Sequence, residues 1–415
     1  NGAPVLMPSK DIVLGLYYLT LMRKEEKGEG AVVKDSVEAQ YLYENKRVSL
    51  HAKVWGYAPD EYGNNVRTET TLGRMILLGI LPKGMPFALI NKVMASKDVG
   101  HIIDWSCRYQ SRDVVVELVD NLMEYGFRYA TRSGISFGKA DLIVPDSKEQ
   151  YVKDAWKRVN TYHQQYMDGL ITQGERFNKV TDSWSQCAEN VSASMMDVIS
   201  EDRKGSPLNS VYMMMTSGAR GSVAQMRQLT GMRGLIARHD GTIVETPILS
   251  NFREGLTALE YFNSTHGARK GLSDTAFKTA NSGYLTRRLV DVAQDCVITQ
   301  KDCGVSEGIV VKALIEGGMV RASLGEQALG RVLAEDVMDT EGACLFPAGT
   351  LLDESHIAVL DQHDLDFVRV RSVLTCQAAR GVCALCYGRD LAKGYLVNVG
   401  EVVGVIAAQS IGEPG

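Results

Sequence analysis

The pattern of apolar and polar positions divides the chain into a mixed first part, a helical middle and a β-rich last part. Short apolar runs at residues 11–20 and 70–82 predict buried helices or buried strands, and polar loops separate them; residues 47–57 alternate as a strand does. From Asp113 to Tyr129 the apolar period is helical. These patterns predict an α+β protein of several domains.

Residues 150–200 predict two amphipathic helices joined by a polar, glycine-containing turn. Helices of roughly 20 to 25 residues at ~1.5 Å per residue form an antiparallel hairpin some 30 Å long. Periodicity alone is compatible with a hairpin packed into the core, whereas the polar turn favours an exposed tip. The apolar positions, at steps of three and four, are Val152, Trp156, Val159, Tyr162, Tyr166 and Leu170, then Phe177, Val180, Trp184, Cys187, Val191, Met195 and Val198.

A third helical pattern runs from about Thr257 to Ala293 without a proline. A continuous helix of this length would be ~55 Å long. Gly267, Gly271 and Gly283 interrupt the pattern, and a glycine costs about 1 kcal/mol relative to alanine in a helix interior. The pattern therefore predicts either two helices or a single helix that can bend.

Residues 304–375 contain short β-rich runs between glycine turns, which predict a small α+β insert. The insert ends at a group of cysteines, and a new apolar helix is predicted after residue 396.

Composition excludes some classes of function. The formal net charge is -5 and the pI about 5.9, so contact with a polyanion requires local basic clusters. No apolar run approaches the ~20 residues that span a bilayer, and no membrane contact is expected. Eight cysteines in a chain without a signal peptide indicate reduced thiols. Because the chain begins without methionine, we interpret it as a segment of a larger protein.

Three of the cysteines have the spacing C-x6-C-x2-C, which is one ligand short of a structural zinc site. A CxxC turn presents two thiolates to one ion, and the third comes from the adjoining loop. A redox pair and simple packing of the thiols are the alternatives. The three thiols belong to Cys376, Cys383 and Cys386, and the candidates for a fourth ligand are Cys296, Cys303, Cys344, His356 and His363.

Two basic regions are candidates for contact with nucleic acid. Arginines between glycines approach phosphate closely, although a solvated loop with ordinary ion pairs has the same composition. Apolar residues among the arginines indicate packing, which makes Arg220 at the polar start the strongest ligand candidate. In the long helix, Thr279, Ala280 and Gly283 form a small-residue patch that permits close approach of a base pair or of another helix. The clustered arginines are Arg220, Arg227, Arg233 and Arg238.

The sequence shows no Ser/His/Asp arrangement, P-loop or HExxH motif, and no dense carboxylate cluster of the kind used in two-metal phosphoryl transfer. No complete catalytic centre is therefore predicted within this chain.

Several long motifs resemble the bacterial DNA-directed RNA polymerase β′ subunit. The resemblance covers essentially the whole chain, in order, and includes PSKDIVLGLYYLT, GFRYATRSG, GERFNKV, SGARGSVAQMRQLTGMRGL, KTANSGYLTRRLVDVAQD, GVCALCYGRDLA and VGVIAAQSIGEPG. It implies DNA-templated RNA synthesis from ribonucleoside triphosphates in the bacterial cytoplasm. The implied partners are the β, α, ω and σ subunits, template DNA, nascent RNA and secondary-channel factors. A non-catalytic, zinc-stabilised scaffold that binds nucleic acid is the alternative function, and a thiol-disulfide enzyme is a third.

The resemblance implies roles for the features above. The long helix resembles the bridge helix, which contacts the template base, and its glycines resemble hinges for translocation. Residues 227–248 resemble the loop that supports this helix, and the hairpin resembles the rim of the secondary channel. Arg220 resembles the arginine that lines the nucleotide-entry path. The implied template and nucleotide contacts are Arg220, Arg269, Lys270, Thr279, Ala280, Gly283, Tyr284 and Arg287, and the implied regulator-docking residues are Glu175, Arg176, Asn178 and Lys179.

The resemblance also implies one structural Zn²⁺ per chain, held by Cys303 with Cys376, Cys383 and Cys386. The catalytic Mg²⁺ and its aspartate triad are expected before Asn1, and the trigger loop after the last residue. The polar link at residues 200–209 is short for the family. The expected domains are a mixed α/β segment at 1–112 that follows the catalytic barrel, a helical funnel at 113–215 with the rim hairpin at 150–200, an arginine-rich loop at 216–256, the bridge helix at 257–295, the β-rich zinc insert at 296–395 and the start of the trigger-loop helix at 396–415.

Overall fold

The computed structural model describes residues 7–59, 64–200, 208–238, 240–317, 319–338, 344–363, 365 and 367–413. Most of the polar link predicted to be short, at 200–209, lies outside the described residues. The chain forms two compact units, Pro4–Lys270 and Gly271–Gly415. The predicted α+β class is confirmed by long helices, small sheets and a cysteine-containing region. Among the described residues, no helix is both long and apolar enough to cross a membrane.

Helices form most of the first unit. They are α1 (Asp11–Thr20), α2 (Ser36–Glu44), α3 (Leu72–Leu78), α4 (Ser96–Tyr109), α5 (Arg112–Ser133), α6 (Lys148–Met167), α7 (Gln173–Ser200), α8 (Ser210–Thr216) and α9 (Val223–Thr230). The strands β1 (Val32–Val33), β2 (Lys53–Pro59) and β3 (Asn65–Thr71) form a sheet in that order, with β1 parallel and β3 antiparallel to β2. The strand predicted at residues 47–57 therefore begins later, at Lys53.

The core of this unit contains α1, α3 and α5 with the inner face of the sheet. The apolar run of α1 is buried almost all round, which explains why its sequence alone did not distinguish a helix from a buried strand. Two glycines allow α1 and α5 to cross closely, since a Cβ on Gly15 would lie only 1.8 Å from the carbonyl oxygen of Gly126. Any larger residue at Gly15 would force the two helices apart.

The predicted helical hairpin is confirmed as α6 and α7. The two helices pack around Trp184, whose ring lies edge-to-face against Trp156 at 5.2 Å between centroids. Helix α7 begins with a capping box, in which the Thr172 N–H donates to Glu175 Oε2 at 2.8 Å and the Glu175 N–H donates to Thr172 Oγ1 at 3.3 Å. Residues 167–170 and 172–175 are exposed, so the hairpin ends in an accessible tip.

The long helical pattern forms one continuous helix, α10 (Ala258–Ala293), of 36 residues. A capping box starts this helix as well, because the Thr257 N–H donates to Glu260 Oε2 at 3.0 Å and the Glu260 N–H donates to Thr257 Oγ1 at 3.3 Å. Hydrogen bonds from Thr257 and Ser250 lower the pKa of Glu260 despite the opposing effect of its partial burial. Of the two predicted alternatives, a single helix is the one observed.

The second unit contains α10 from Gly271 onwards and small β elements. These are β4 (Ile298–Gln300), β5 (Ile309–Val311), β6 (Leu314–Glu316), β7 (Met319–Ala322), α11 (Leu324–Ala328), β8 (Val337–Met338), β9 (Cys344–Phe346), α12 (Glu354–Leu360), β10 (Val368–Val370), β11 (Val382–Cys383), α13 (Ala384–Tyr387) and α14 (Val403–Gly412). The predicted β-rich insert and the predicted apolar helix near the end of the chain are both present. The insert has its own apolar core between α11, α12, β5 and β10.

Helix α14 packs against the last turns of α10. Ser282 Oγ donates to the carbonyl oxygen of Gly412 at 2.7 Å. A Cβ on Gly404 would lie 2.0 Å from the carbonyl oxygen of Ala293, so the backbones touch at the other end of α14. Ser282 and Ala293, three turns apart on α10, therefore define the side of the helix that α14 covers.

Candidate metal centre and nucleic-acid interface

Four cysteines converge at the base of the insert. Cys303 follows β4, Cys376 follows the short 3-10 turn Val373–Thr375, Cys383 ends β11, and Cys386 lies in α13. Because β11 pairs in parallel with β4, the two ends of the insert are brought together although they are far apart in sequence. We call these four residues the thiol cluster.

The thiol cluster fits a tetrahedral metal ion. All four Sγ atoms lie within 4.8 Å of one another, and the Sγ atoms of Cys303 and Cys386 are 3.6 Å apart. Zinc–sulfur bonds of ~2.3 Å place the sulfur atoms of a tetrahedron about 3.8 Å apart. Backbone N–H groups of Cys383 and Cys386 donate to the sulfurs of Cys376 and Cys383 at 3.4 and 3.3 Å. Four sulfur donors in this arrangement can hold a metal such as zinc.

The other four candidate ligands lie outside the cluster. Cys296 packs as a partly buried thiol beside α14, and Cys344 is exposed in β9. The Nδ1 atom of His356 lies 2.6 Å from Asp353 Oδ1, at the start of α12. Folding therefore selects Cys303 from the five residues that the spacing left open.

The thiols of the cluster differ in acidity. Burial opposes ionisation of Cys303, but backbone N–H groups of Gln377 and Val305 donate to its sulfur and lower its pKa. Burial raises the pKa of Cys386 and of Cys383. Neighbouring thiolates repel one another, so a bound cation is what would allow all four to be ionised together.

One basic residue that sequence reasoning missed lies directly against the cluster. Arg371 follows β10, and its side chain is only 8% exposed. Its Nη2 atom lies 2.6 Å from Asp302 Oδ1 and 3.4 Å from Cys386 Sγ. The available signal was weak: an arginine five residues before Cys376 and an aspartate directly before Cys303.

The middle of α10 is an uncovered surface. Every residue from Gly271 to Asn281 is exposed, including Thr279 and Ala280, and Ser264 is the one residue of α10 classed as buried. At 3.6 residues per turn, Ala280, Gly283, Tyr284 and Arg287 share one face of the helix. Ser282, Thr286 and Ala293 lie on the side of the helix towards α14, and Thr279, seven residues before Thr286, lies on that same side, next to Gly283.

The small-residue patch of Thr279, Ala280 and Gly283 makes no packed helix contact among the described residues. Thr279 Oγ1 donates to the carbonyl oxygen of Thr275 at 2.8 Å, within the helix itself. A Cβ on Gly271 or Gly283 would meet no atom within 4 Å. Among the described residues, the patch therefore has room beside it for a ligand.

The predicted support loop, residues 227–248, lies beside the first part of α10. Its two arms pair through the Gly234 N–H and the Ile248 carbonyl oxygen, and through the reverse bond, both at 2.9 Å. Ser250 Oγ donates to Glu260 Oε2 at 3.0 Å, and a Cβ on Gly267 would lie 3.6 Å from Ile236. The pairing makes this stretch a twisted hairpin that contacts the helix.

The predicted basic contacts of the first unit remain accessible to different degrees. Arg220 and Arg269 are exposed, and Lys270 is half-buried with its Nζ near Gly241 of the support loop. Arg233 stacks on Phe252 at 5.2 Å. Arg233 is therefore engaged within the protein, whereas Arg220 is exposed and its contact with a ligand stays a prediction.

The four predicted docking residues lie at the hairpin tip, but they are not equivalent. Glu175, Asn178 and Lys179 are exposed, with Lys179 also over the ring of Tyr162 at 5.7 Å. Arg176 is only 12% exposed and makes a double hydrogen bond to Glu245, at 2.7 and 3.0 Å.

Comparison with family models gives three matches in chain order. Residues 1–142 match RNA polymerase Rpb1, domain 3; residues 171–256 match domain 4; and residues 255–415 match domain 5. The matches leave only residues 143–170 outside them. The chain belongs to the family of the largest RNA polymerase subunit. This family carries out DNA-directed RNA synthesis, a nucleotidyl transfer, as part of an assembly with other polymerase subunits and nucleic acid.

Proposed function

We propose that the chain is the central segment of the largest subunit of a bacterial RNA polymerase and that it positions the template and the incoming nucleotide. The observation that carries this proposal is the exposed stretch Gly271–Asn281 of α10, in a chain whose Rpb1 domains occur in order. Leu272 and Phe277 are exposed in this stretch, and exposed apolar side chains on an uncovered helix favour a binding surface.

In this proposal α10 is the bridge helix. Thr279, Ala280 and Gly283 lie against the template base pair, since small side chains allow close approach of a base. Tyr284 and Arg287 share the exposed face and contact the nucleic acid beside it. Arg220, Arg269 and Lys270 are the further cationic contacts, with Arg220 on the path of the triphosphate.

In this proposal the thiol cluster binds a structural zinc ion. Cys303, Cys376, Cys383 and Cys386 are the ligands, and the ion closes the base of the insert. Catalytic Mg²⁺ and its aspartate triad belong to a part of the polymerase outside this segment. Nucleotidyl transfer then depends on this chain for alignment and for stabilisation of phosphate charge.

Partners follow from the same proposal. The β, α, ω and σ subunits, template DNA, nascent RNA and nucleoside triphosphates contact the uncovered surfaces, and the polymerase is cytoplasmic. Secondary-channel factors dock at the exposed tip of the α6–α7 hairpin, with Glu175, Asn178 and Lys179 as direct contacts. Arg176 shapes that tip through Glu245.

Replacement of Thr279 by tryptophan in the assembled polymerase tests the template role. The bulky ring would occupy the space of the base pair, so we expect elongation to slow by roughly 10- to 100-fold, because small misplacements of reacting groups have effects of this size. Single-nucleotide addition is measured on a preformed transcription complex.

Thr131→Trp is the matched control for this experiment. Thr131 is also an exposed helical threonine, and its Oγ1 donates to the carbonyl oxygen of Phe127 at 2.9 Å, four residues earlier. Equal elongation rates for the Thr279 and Thr131 variants would remove Thr279 from the template site.

A further inference from the structure

Arg371 is a buried cation of the insert, and its terminal nitrogen lies among the sulfur atoms of the thiol cluster. Its Nη2 atom lies 3.5 Å from Cys303 Sγ, 3.8 Å from Cys383 Sγ and 3.4 Å from Cys386 Sγ. The same atom donates to Asp302 Oδ1 at 2.6 Å. One nitrogen thus faces three of the four candidate metal ligands.

Another buried arginine, Arg74, has different surroundings. Arg74, which is 6% exposed, donates through Nε to the Thr20 carbonyl oxygen at 3.0 Å and through Nη1 to Asn91 Oδ1 at 3.1 Å. Neutral oxygens satisfy Arg74, whereas Nη2 of Arg371 faces sulfur atoms and one carboxylate. The Nε atom of Arg371 is buried without a hydrogen-bond partner, so the recorded polar contacts of this guanidinium are those of Nη2 with the sulfur atoms and Asp302.

Charge explains why a cation belongs at this position. Four thiolates around one divalent ion carry a net charge of about −2, and burying uncompensated charge is unfavourable. A guanidinium that donates N–H groups to the thiolates offsets part of this charge. Asp302 is about half exposed at 48%, so it can anchor the arginine while its own charge stays solvated.

We propose that Arg371 is a positioning residue of the metal site, with its guanidinium donating to the ligand thiolates and Asp302 holding the guanidinium in place. The inference rests on the proposed zinc site and adds a partner outside the four ligands. Hydrogen-bond partners of metal ligands orient the ligands and retain the metal. Arg371 also ties the strand that leads to Cys376 to the loop that carries Cys303.

Zinc retention in the assembled polymerase tests the inference. We expect Arg371→Met to release zinc ~10- to 100-fold faster than the unmodified enzyme on challenge with EDTA, because loss of such a partner changes metal affinity by this factor. Arg371→Lys keeps the positive charge but loses the planar guanidinium. Its rate of zinc release should therefore lie between the rates of the unmodified enzyme and of Arg371→Met. Released zinc is followed with a chromogenic chelator.

Arg369→Met is the matched control. Arg369 lies two residues earlier, in β10, and its side chain is 43% exposed and pairs with Glu335 at 3.4 Å. Its replacement removes an arginine and an ion pair from the adjoining strand and leaves the cluster intact, so zinc release should not change. Equal release from the Arg371→Met and Arg369→Met enzymes would overturn the inference.

A spectroscopic measurement separates ligand contact from general stability. In enzyme reconstituted with Co²⁺, we expect the sulfur-to-cobalt charge-transfer band of Arg371→Met to move to lower energy, because thiolates that lose hydrogen-bond donors become better electron donors. A merely structural arginine would leave this band in place. An unshifted band together with normal retention would contradict the proposed contact.

Two further results make the test decisive. If Arg371→Met does not assemble, the test uses Asp302→Asn instead. This change weakens the contact that holds the Arg371 guanidinium, so zinc release should become several-fold faster. An unchanged rate of release would refute the inference. Zinc content of the unmodified enzyme is measured first, with about one ion per subunit expected. Absence of zinc there would refute the metal site itself, whereas normal zinc with no effect of Arg371 would refute only the inference.

Discussion

Arg176 connects the tip of the α6–α7 hairpin to the support loop. Both of its terminal nitrogens donate to the Glu245 carboxylate, at 3.0 and 2.7 Å, and its guanidinium lies 5.4 Å from the Tyr166 ring centroid. The loop that carries Glu245 pairs with itself and contacts the first part of α10. A factor that binds the hairpin tip would therefore lie close to Arg176, which holds the support loop through Glu245.

We predict that Arg176→Met loosens the support loop. A two-pronged arginine–carboxylate pair that is partly open to solvent contributes about 1 kcal/mol, so amide exchange of the loop should accelerate roughly 5- to 10-fold. The relevant amides are those of Gly234, Val244 and Ile248, measured by hydrogen–deuterium exchange in the assembled polymerase.

Arg158→Met provides the control, because Arg158 lies on the same hairpin and contacts Gln186 Oε1 at 3.4 Å instead of the loop. Its loop exchange should match that of the unmodified enzyme. Loop exchange that is unaffected by Arg176→Met would show that the pair with Glu245 does not hold the loop.

At the scale of elements, helix α10 is specified by local features of its sequence more than by burial of an apolar face. A capping box fixes its first turn, and most of its length is exposed. Most helices of globular proteins depend on an apolar face packed against a core. The interior glycines weaken α10 further, and neither Gly271 nor Gly283 is required by a close contact among the described residues.

We predict that the double variant Gly271→Ala, Gly283→Ala stiffens α10 without destabilising the fold. Each alanine favours the helix by about 1 kcal/mol, and a Cβ has space at both positions. If α10 bends during translocation, elongation should slow while the thermal midpoint stays the same or rises. Elongation rate and thermal unfolding are measured on the same assembled enzyme.

Gly174→Ala in α7 is the comparison for this double variant, since a Cβ there also meets no atom within 4 Å. In the absence of regulatory factors, its elongation rate should match that of the unmodified enzyme. Unimpaired elongation by the Gly271, Gly283 double variant would argue against a hinge in α10.

At the scale of the whole molecule, the thiol cluster brings together the two ends of a long segment of the chain, the insert. Cys303 and Cys376 bound the insert of residues 304–375, which has a separate apolar core. At the base of the insert β4 pairs with β11, and Arg389, outside the insert, donates to Glu354 Oε1 within it at 2.8 Å. A metal at the cluster is therefore expected to fix where the insert begins and ends.

We predict that Cys303→Ser lowers zinc from about one ion per subunit to near zero, because three thiolates no longer close a tetrahedral site. Limited proteolysis should then cut within residues 304–375 more readily. Metal analysis and peptide mapping of the assembled enzyme measure the two effects. Cys344→Ser, at an exposed cysteine outside the cluster, should retain both zinc and protection; full zinc in Cys303→Ser would contradict the assignment of this ligand.

Sequence reasoning identified most elements but only part of the site. Periodicity located the hairpin helices and the long helix, because amphipathic spacing and capping residues are local properties of the chain. The alternation of apolar and polar residues predicted a strand at residues 47–57, but the strand begins only at Lys53. Three cysteines were recognised by spacing, while Cys303 was one of five candidates until the resemblance and then the fold selected it.

Residue types and their order alone thus determined the class of fold, the amphipathic helices and three of the four cysteines of the thiol cluster. Tertiary structure decided what depends on pairing across long separations in the chain. Parallel pairing of β11 with β4 brings Cys303 to the other thiols, and β10 delivers Arg371 to the same point. Likewise, only packing shows that Arg176 is held by Glu245 while Glu175 and Lys179 stay exposed. The physical reason is that spacing along the chain records local periodicity, whereas contact between distant side chains exists only once the backbone has folded.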